Sequence, residues 1–211
     1  NQRNSHPHTD CLNKISIVHN GIVENYSDLK EALFKQGHSF SSDTDSEVIA
    51  HLIESSIIEG YSFESAFVTA VKQLKGAQAI AALQSATPSY IMATRIGNAG
   101  GICIGHGSKE MFIASDITAL VPLSDTITFM EPGQTAKVSQ SSILIHNAEG
   151  QLIRTKPQKV IHNVTNIAKG RFRHFMEKEI AEQPETIISA IGGRVDLRSH
   201  KIDLPEISLL R

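Results

Sequence analysis

The chain has 211 residues, of which 40% are hydrophobic, and this is enough to bury the core of one domain of ordinary size. The formal net charge is −2 and the charged residues are scattered, which argues against a broad electrostatic surface for nucleic acid or for a membrane. No apolar run approaches the ~18–20 residues that span a bilayer, and two cysteines that look unpaired indicate a reducing compartment, the cytoplasm.

The first part of the sequence predicts one strand followed by three helices. Ile15–Val18 is a short β-branched run that predicts a strand ending at Asn20-Gly21. Apolar residues at helical spacing then predict three helices, each with a serine at or next to its start: Ser27, Asp45-Ser46 and Ser62.

After Gly76 the pattern changes to short strands. These are predicted at residues 77–83, 90–94, 102–104, 112–114, 126–130, 135–138 and 142–146, separated by turn signals such as Glu131-Pro132-Gly133. A last helix is predicted to start at Gln183-Pro184, with proline in its first turn. Helices, then a strand-rich antiparallel region, then a helix predict an α+β fold rather than a Rossmann-type alternation.

The Asn20-Gly21 dipeptide can supply two hydrogen-bond donors at a strand end, the side-chain amide of Asn20 and the backbone N–H of Gly21. Two donors fixed in advance form an oxyanion hole, which stabilises the charge on a carbonyl oxygen under nucleophilic attack by roughly 3–4 kcal/mol per donor. The alternative is that the dipeptide is only a hairpin turn.

Asp45 stands at the start of the second predicted helix. A carboxylate at this position can bind an ammonium group through a charge-assisted hydrogen bond, and the alternative is a simple N-cap. An oxyanion hole and an ammonium-binding carboxylate together describe a site for glutamine, which carries both an amide carbonyl and an α-ammonium group.

Four motifs occur in an order that resembles one family. They are His19–Tyr26, Asp43–Leu52, Phe112–Asp116 and Met176–Pro184. They are similar to the glutaminase domain of the glutamine:fructose-6-phosphate amidotransferases, which are class II glutamine amidotransferases and N-terminal-nucleophile hydrolases. The resemblance implies part of a four-layer α-β-β-α sandwich, with a glutaminase domain at 1–195 and a linker at 196–211 that leads toward sugar isomerase domains.

The resemblance implies a role for each candidate residue. Asn20 and Gly21 match the oxyanion-hole pair, and Asp45 matches the carboxylate that receives the α-ammonium group of glutamine. His6 matches a histidine near the glutamine site. His19 lies beside the oxyanion residues and either orients them or is a packed, hydrogen-bonded histidine.

The implied activity is that of glutamine–fructose-6-phosphate transaminase (isomerizing). Glutamine is hydrolysed to glutamate, and the ammonia converts fructose 6-phosphate to glucosamine 6-phosphate for amino-sugar synthesis. The full-length protein is expected to be a homo-oligomer without a cofactor. Two alternatives stay open: another class II enzyme such as amidophosphoribosyltransferase, or a non-catalytic module that binds glutamine or a partner.

The nucleophile of the resembled family is a cysteine at the mature N-terminus, whereas this chain begins with Asn1. The expectation is therefore a domain that lacks its N-terminal portion and is inactive alone. Cys103 lies in an apolar stretch that predicts a buried strand, and Cys11 lies in a polar stretch. Neither is predicted to replace the nucleophile, because a reactive thiolate needs surroundings that lower its pKa.

Two further patterns are discounted. The glycine-rich segment from Gly97 to Gly101 lacks the spacing of a phosphate-binding loop. It also differs from the resembled family, which puts in question any edge of the glutamine pocket formed there. Among the ten histidines, the only close pair is His6 and His8, and no two further ligands can be placed beside them, so no metal is predicted.

Overall fold

A computed structural model describes residues 2–98, 100–160, 170–192, 194–196 and 201–202. The chain divides into two compact units, Asn1–Ile161 and His162–Arg211. The helices of the first unit are α1 Tyr26–Lys35, α2 Glu47–Ile58 and α3 Phe63–Val71. Its strands are β1 His8–Thr9, β2 Ile15–Gly21, β3 Gln78–Gln84, β4 Tyr90–Ile96, β5 Cys103–His106, β6 Met111–Ala114, β7 Thr126–Phe129, β8 Thr135–Ser139, β9 Ile143–His146, β10 Leu152–Ile153 and β11 Gln158–Lys159.

The strands of the first unit form two antiparallel sheets. The larger has seven strands in the order β1-β2-β3-β4-β8-β9-β10, and the smaller has four in the order β11-β7-β5-β6. Strands β2 and β3 pair over their whole length, with Asn20 opposite Ala79 and Gly21 opposite Gln78. Each of the seven strands predicted after Gly76 is present to within two residues at either end.

Alternate residues of the larger sheet face two different cores. On one face, Ile17 and Met92 pack with apolar residues of the three helices. On the other face, Ala79 and Ala93 pack with Ile104 of the smaller sheet. The predicted α+β class is confirmed, and the first unit supplies the helix-sheet-sheet part of the predicted sandwich.

Helix α2 is buried almost all round. Its apolar residues Val48, Ile49 and Ile53 are fully buried, and burying a side chain of this size stabilises the fold by roughly 1.5–3 kcal/mol. The same helix also buries three ionisable residues: Glu47, His51 and Glu54. Buried ionisable groups need hydrogen-bond or charge partners, so we expect these three residues to hold neighbouring segments in place.

Among the three helices of the first unit, the start of α1 differs from the predicted one. Helix α1 begins at Tyr26, so Ser27 lies in its first turn and is not its N-cap. Asn25 precedes it and ties it to the segment after α3, donating to the Gln73 carbonyl at 2.9 Å and accepting from the Lys75 N–H at 2.9 Å. The cap predicted for α3 is confirmed, since the Ser62 hydroxyl accepts from the Ser65 N–H at 3.2 Å.

The second unit contains helix α4, Phe175–Ile191, and a short hairpin of β12 Val195–Asp196 with β13 Lys201–Ile202. The predicted start of a helix at Pro184 was wrong, because Pro184 lies inside α4. Proline leaves one intrahelical hydrogen bond unmade without ending this helix. Most of the proposed 196–211 linker lies outside the described residues, and a domain boundary at 195 stays a prediction. None of the described helices is both long and apolar enough to cross a membrane.

Candidate functional site

The end of strand β2 presents His19 and Asn20 to opposite faces of the larger sheet. His19 is buried on the helix side, where its Nδ1 lies 2.8 Å from the hydroxyl of Ser46 at the start of α2. Asn20 is exposed and lines a cavity on the other face. His19 also borders this cavity, so both residues at the end of β2 lie beside the same space.

Gly21 occupies a position that only glycine fits. Its φ is +145°, and a Cβ there would lie 2.4 Å from the carbonyl oxygen of Ala77 and 2.9 Å from the Cα of Gln78. Both contacts are with backbone atoms, which cannot move aside without disturbing the pairing of β2 and β3. The hairpin-turn alternative is wrong, because Asn20 and Gly21 are the last two residues of a paired strand.

The cavity beside Asn20 lies between the two sheets and has a volume of about 600 Å³. Its lining includes His6 and Asn20 on one side and Gly101 and Ser115 on the other. This volume falls within the range of small-molecule sites in proteins, roughly 300–1,000 Å³. It is the space into which the candidate oxyanion donor projects.

The glycine-rich segment after β4 reaches this cavity. A Cβ on Gly100 would lie 3.0 Å from Nδ2 of Asn20, and one on Gly101 would lie 2.7 Å from the carbonyl oxygen of Ser115. The absence of side chains lets the segment pack directly on the Asn20 amide. Gly100 therefore lies beside the candidate site. The sequence analysis described its segment only as a loop that differs from that of the resembled family.

Asp45 is attached to the same strand end from the helix side. Its Oδ2 accepts a hydrogen bond of 2.7 Å from the N–H of Val23, two residues beyond Gly21. Among the described residues, its Oδ1 accepts none. The N-cap alternative is wrong, since α2 begins at Glu47 after Ser46 and Asp45 accepts a hydrogen bond from Val23 instead. One carboxylate oxygen is therefore fixed and the other is available to a ligand.

The loop that carries Asp45 is organised by Glu47, which sequence reasoning missed. The Glu47 carboxylate accepts hydrogen bonds from the N–H and hydroxyl of Ser41 at 2.7 and 2.9 Å, and from those of Ser42 at 2.7 and 2.5 Å. Burial alone raises the pKa of Glu47, but these four donors outweigh it and lower the pKa to about 2. The signal in the sequence was an acidic residue just inside a helix, preceded by hydroxyl residues.

His6 and His8 lie next to this loop. The exposed ring of His6 meets that of His8 edge-on, with 5.0 Å between ring centroids. Nε2 of His8 lies 3.2 Å from the hydroxyl of Thr44, the residue before Asp45. Burial lowers the pKa of His8 and also that of His19, so both rings are neutral near pH 7.

Neither cysteine is placed to act as a nucleophile at this cavity. Asp10 accepts the N–H groups of Lys14 and Ile15 and so closes a turn that holds Cys11 at the start of β2. At about 3.4 Å per residue, that end of the strand is roughly 17 Å from Asn20. Cys103 is buried in β5, and burial raises the pKa of its thiol. Neither supplies a nucleophile beside Asn20.

Comparison with known proteins identifies the family. A family model described as a glutamine amidotransferase domain matches residues 1–122. A glutamine–fructose-6-phosphate aminotransferase (isomerizing) of Mesorhizobium japonicum is 39% identical over 97% of this chain and 34% of its own length. Those of Thermotoga maritima and Pyrococcus horikoshii are 41% and 42% identical, each over 92% of this chain and 32% of their own length. The chain thus spans about a third of these relatives.

Two solved structures share the fold. One is a glutamine phosphoribosylpyrophosphate amidotransferase from B. subtilis, with a TM-score of 0.56 at 23% identity over 67% of this chain and 30% of its own. The other, described as the allosteric regulatory enzyme of purine biosynthesis, has a TM-score of 0.59 at 24% identity over 69% of this chain and 31% of its own. The fold is that of the N-terminal-nucleophile hydrolases, and the chain belongs to the glutamine amidotransferase domain family.

Proposed function

We propose that this chain is the glutamine-hydrolysing domain of a glutamine–fructose-6-phosphate amidotransferase. The observation that carries the proposal is the end of β2, where Asn20 projects into a cavity and Asp45 is anchored to Val23 with one oxygen available. The relatives at 39–42% identity support fructose 6-phosphate as the acceptor in the whole protein.

In the proposed reaction a cysteine thiolate attacks the side-chain amide carbon of glutamine. A C–S bond forms and the carbonyl electrons move to oxygen, where the Asn20 amide and the Gly21 N–H stabilise the negative charge. The C–N bond then breaks and the nitrogen leaves as ammonia after it is protonated. Water hydrolyses the resulting thioester to glutamate and restores the thiol.

Asp45 positions the substrate by binding its α-ammonium group. A charge-assisted hydrogen bond of this kind contributes about 1.5–3 kcal/mol. The Val23 N–H holds the carboxylate in place before glutamine arrives, so little ordering is left for the binding step. His6 borders the cavity that Asn20 lines, and we assign it a place near the substrate without a proton-transfer role.

The test uses the protein translated from the whole natural reading frame that encodes this chain. Glutamate release and glucosamine 6-phosphate formation are measured with glutamine and fructose 6-phosphate. Asn20→Ala is expected to lower kcat for glutamine by about 10²–10³-fold. Asp45→Asn is expected mainly to raise KM for glutamine, because it removes a contact made in the ground state as well as in the transition state.

Asp43→Asn is the matched control, since Asp43 is an exposed acid two residues from Asp45 that pairs with Arg3 at 3.2 Å. It should leave both constants near their original values. Amination of phosphoribosyl pyrophosphate in place of fructose 6-phosphate would transfer the proposal to the purine enzyme. Glutamine binding without turnover would instead favour a non-catalytic module. The homo-oligomeric state and the cytoplasmic location stay predictions.

A further inference from the structure

A second polar cluster lies between the β1-β2 turn, the α1-α2 loop and helix α2. It consists of Cys11, His38, His51 and Glu54, whose donor atoms all lie within 4.8 Å of one another. The exposed Cys11 comes from the turn, and the other three residues are buried. The oxyanion chemistry proposed above uses none of these four residues.

The donor atoms of this cluster converge on one point. Sγ of Cys11 is 3.7 Å from Nδ1 of His38 and 3.6 Å from Nδ1 of His51. Oε2 of Glu54 is 2.8 Å from Nδ1 of His38 and 3.0 Å from Nδ1 of His51. Both imidazoles therefore direct the same nitrogen toward a sulfur and a carboxylate oxygen, and three chain segments meet to make this arrangement.

The two sulfur-to-nitrogen separations match a tetrahedral ion site. Bonds of about 2.3 Å to sulfur and about 2.0–2.1 Å to nitrogen place a thiolate and an imidazole nitrogen about 3.6 Å apart across a tetrahedral zinc ion. The two Cys11 separations agree with that value. The nitrogen-to-oxygen separations are shorter than the about 3.3 Å of such a site, so Glu54 would move back by a few tenths of an ångström.

The surroundings also suit an ion. Nε2 of His51 makes no hydrogen bond among the described residues and lies 3.6 Å from Oε1 of Glu47. Ligating histidines commonly direct their second nitrogen to such a carboxylate. The Phe40 ring packs against His51 with 4.4 Å between ring centroids, which shields the cluster on one side, while the exposed Cys11 leaves a path of entry.

We propose that Cys11, His38, His51 and Glu54 bind one zinc ion, which joins the β1-β2 turn to α2. The mixture of one thiolate, two imidazoles and one carboxylate in a tetrahedral arrangement favours zinc over magnesium or calcium, which take oxygen ligands. Binding releases the thiol proton of Cys11 to solvent and leaves both histidines neutral, with their Nδ1 lone pairs on the metal. The proposal does not depend on the glutamine site.

The first experiment measures metal content and cobalt(II) binding by the 211-residue chain purified without chelators. We expect one equivalent of zinc and, after its removal, saturable binding of one cobalt(II) with a thiolate-to-cobalt absorption band. Cys11→Ser should abolish that band and weaken cobalt binding by at least the roughly 10–100-fold that loss of an outer partner costs. Cys103→Ser, which removes the only other cysteine of the chain, should leave both unchanged.

A second measurement needs no substitution and so does not depend on a variant that folds. Zinc added to the metal-free chain should slow the reaction of the exposed Cys11 thiol with a disulfide reagent by at least about 10-fold, since a ligating sulfur is shielded. Absence of saturable binding, undiminished cobalt affinity in Cys11→Ser, or an unchanged thiol reaction rate with zinc would each overturn the proposal. The cluster would then be a metal-free hydrogen-bonded network.

Discussion

At the scale of single residues, the candidate glutamine site depends on groups that must have no side chain. Gly21 ends β2 against the backbone of Ala77 and Gln78, and Gly100 lies against the Asn20 amide. A donor is fixed in place when its neighbours leave it no alternative position. Glycine at these two positions allows the backbone to pack closely at the end of β2 and beside the Asn20 amide.

Gly21→Ala tests this packing. The new methyl group would overlap backbone atoms at 2.4 and 2.9 Å in a strained conformation at φ +145°, and we expect a loss of about 2–4 kcal/mol in the free energy of unfolding. Urea denaturation measures it. Gly37→Ala is the matched control, because Gly37 also has a positive φ, +94°, but no atom lies within 4 Å of the position that its new methyl group would take. Equal losses in the two variants would contradict the steric argument.

At the scale of elements, helix α2 joins three features of the molecule. Its apolar residues fill the core between the helices and the larger sheet, and Glu47 at its first turn holds the loop of Asp45. One turn later His51 lies between Glu47 and Glu54. The position of Asp45, the candidate ammonium-binding residue, therefore depends on the buried carboxylate of Glu47 in helix α2.

Glu47→Gln is expected to loosen this loop. The amide has the same shape, but it is neutral and accepts through one oxygen, so it cannot satisfy the four donors of Ser41 and Ser42. We expect about 2–4 kcal/mol of lost stability and a raised KM for glutamine in the whole protein. Thermal unfolding and glutaminase assays measure these effects. Glu59→Gln, at the exposed end of the same helix, is the control and should change neither the stability nor the KM. An unchanged KM for glutamine in Glu47→Gln would contradict the proposed dependence of Asp45 on Glu47.

At the scale of the whole molecule, buried histidines and acids make stability depend on pH in one direction. Burial lowers the pKa of His8, His19 and His106 below the ordinary value of 6.5, so below that value the unfolded chain binds more protons than the folded one. The pKa of Glu47 is lowered from 4.5 to about 2, which again makes the unfolded chain the better proton binder below 4.5.

We therefore expect the free energy of unfolding to be greatest between about pH 7 and 9, because the raised pKa of the buried Cys103 thiol makes stability fall again at higher pH. It should fall as the pH drops below 6.5, where the unfolded-state histidines are protonated, and fall further between 4.5 and 2 as Glu47 is titrated. Urea denaturation at a series of pH values measures the profile. In Glu47→Gln the second decline should be smaller while the first is kept. A flat profile between about pH 7 and 5.5 would contradict the histidine contribution.

Local patterns in the sequence predicted much of the fold. Short runs separated by turn signals located the seven strands after Gly76, and helical spacing located the helices before it. The order of these elements predicted the α+β class, and four motifs predicted the family to which the chain belongs. Prediction was weakest where two local signals competed. Ser27 resembled an N-cap, but α1 begins one residue earlier, directly after Asn25. Pro184 resembled the start of a helix, but α4 continues through it.

What the sequence by itself determined was the pattern of elements, the α+β class and the four motifs that carry the family resemblance, since these are encoded in residues close together along the chain. Only the tertiary structure decided that His19 contacts Ser46, that Gly100 lies against Asn20 and that Glu47 holds the Asp45 loop. It also joined Cys11 to His38 and His51, which lie 27 and 40 residues away. Such contacts are set by how the strands and helices pack, and no local spacing records them.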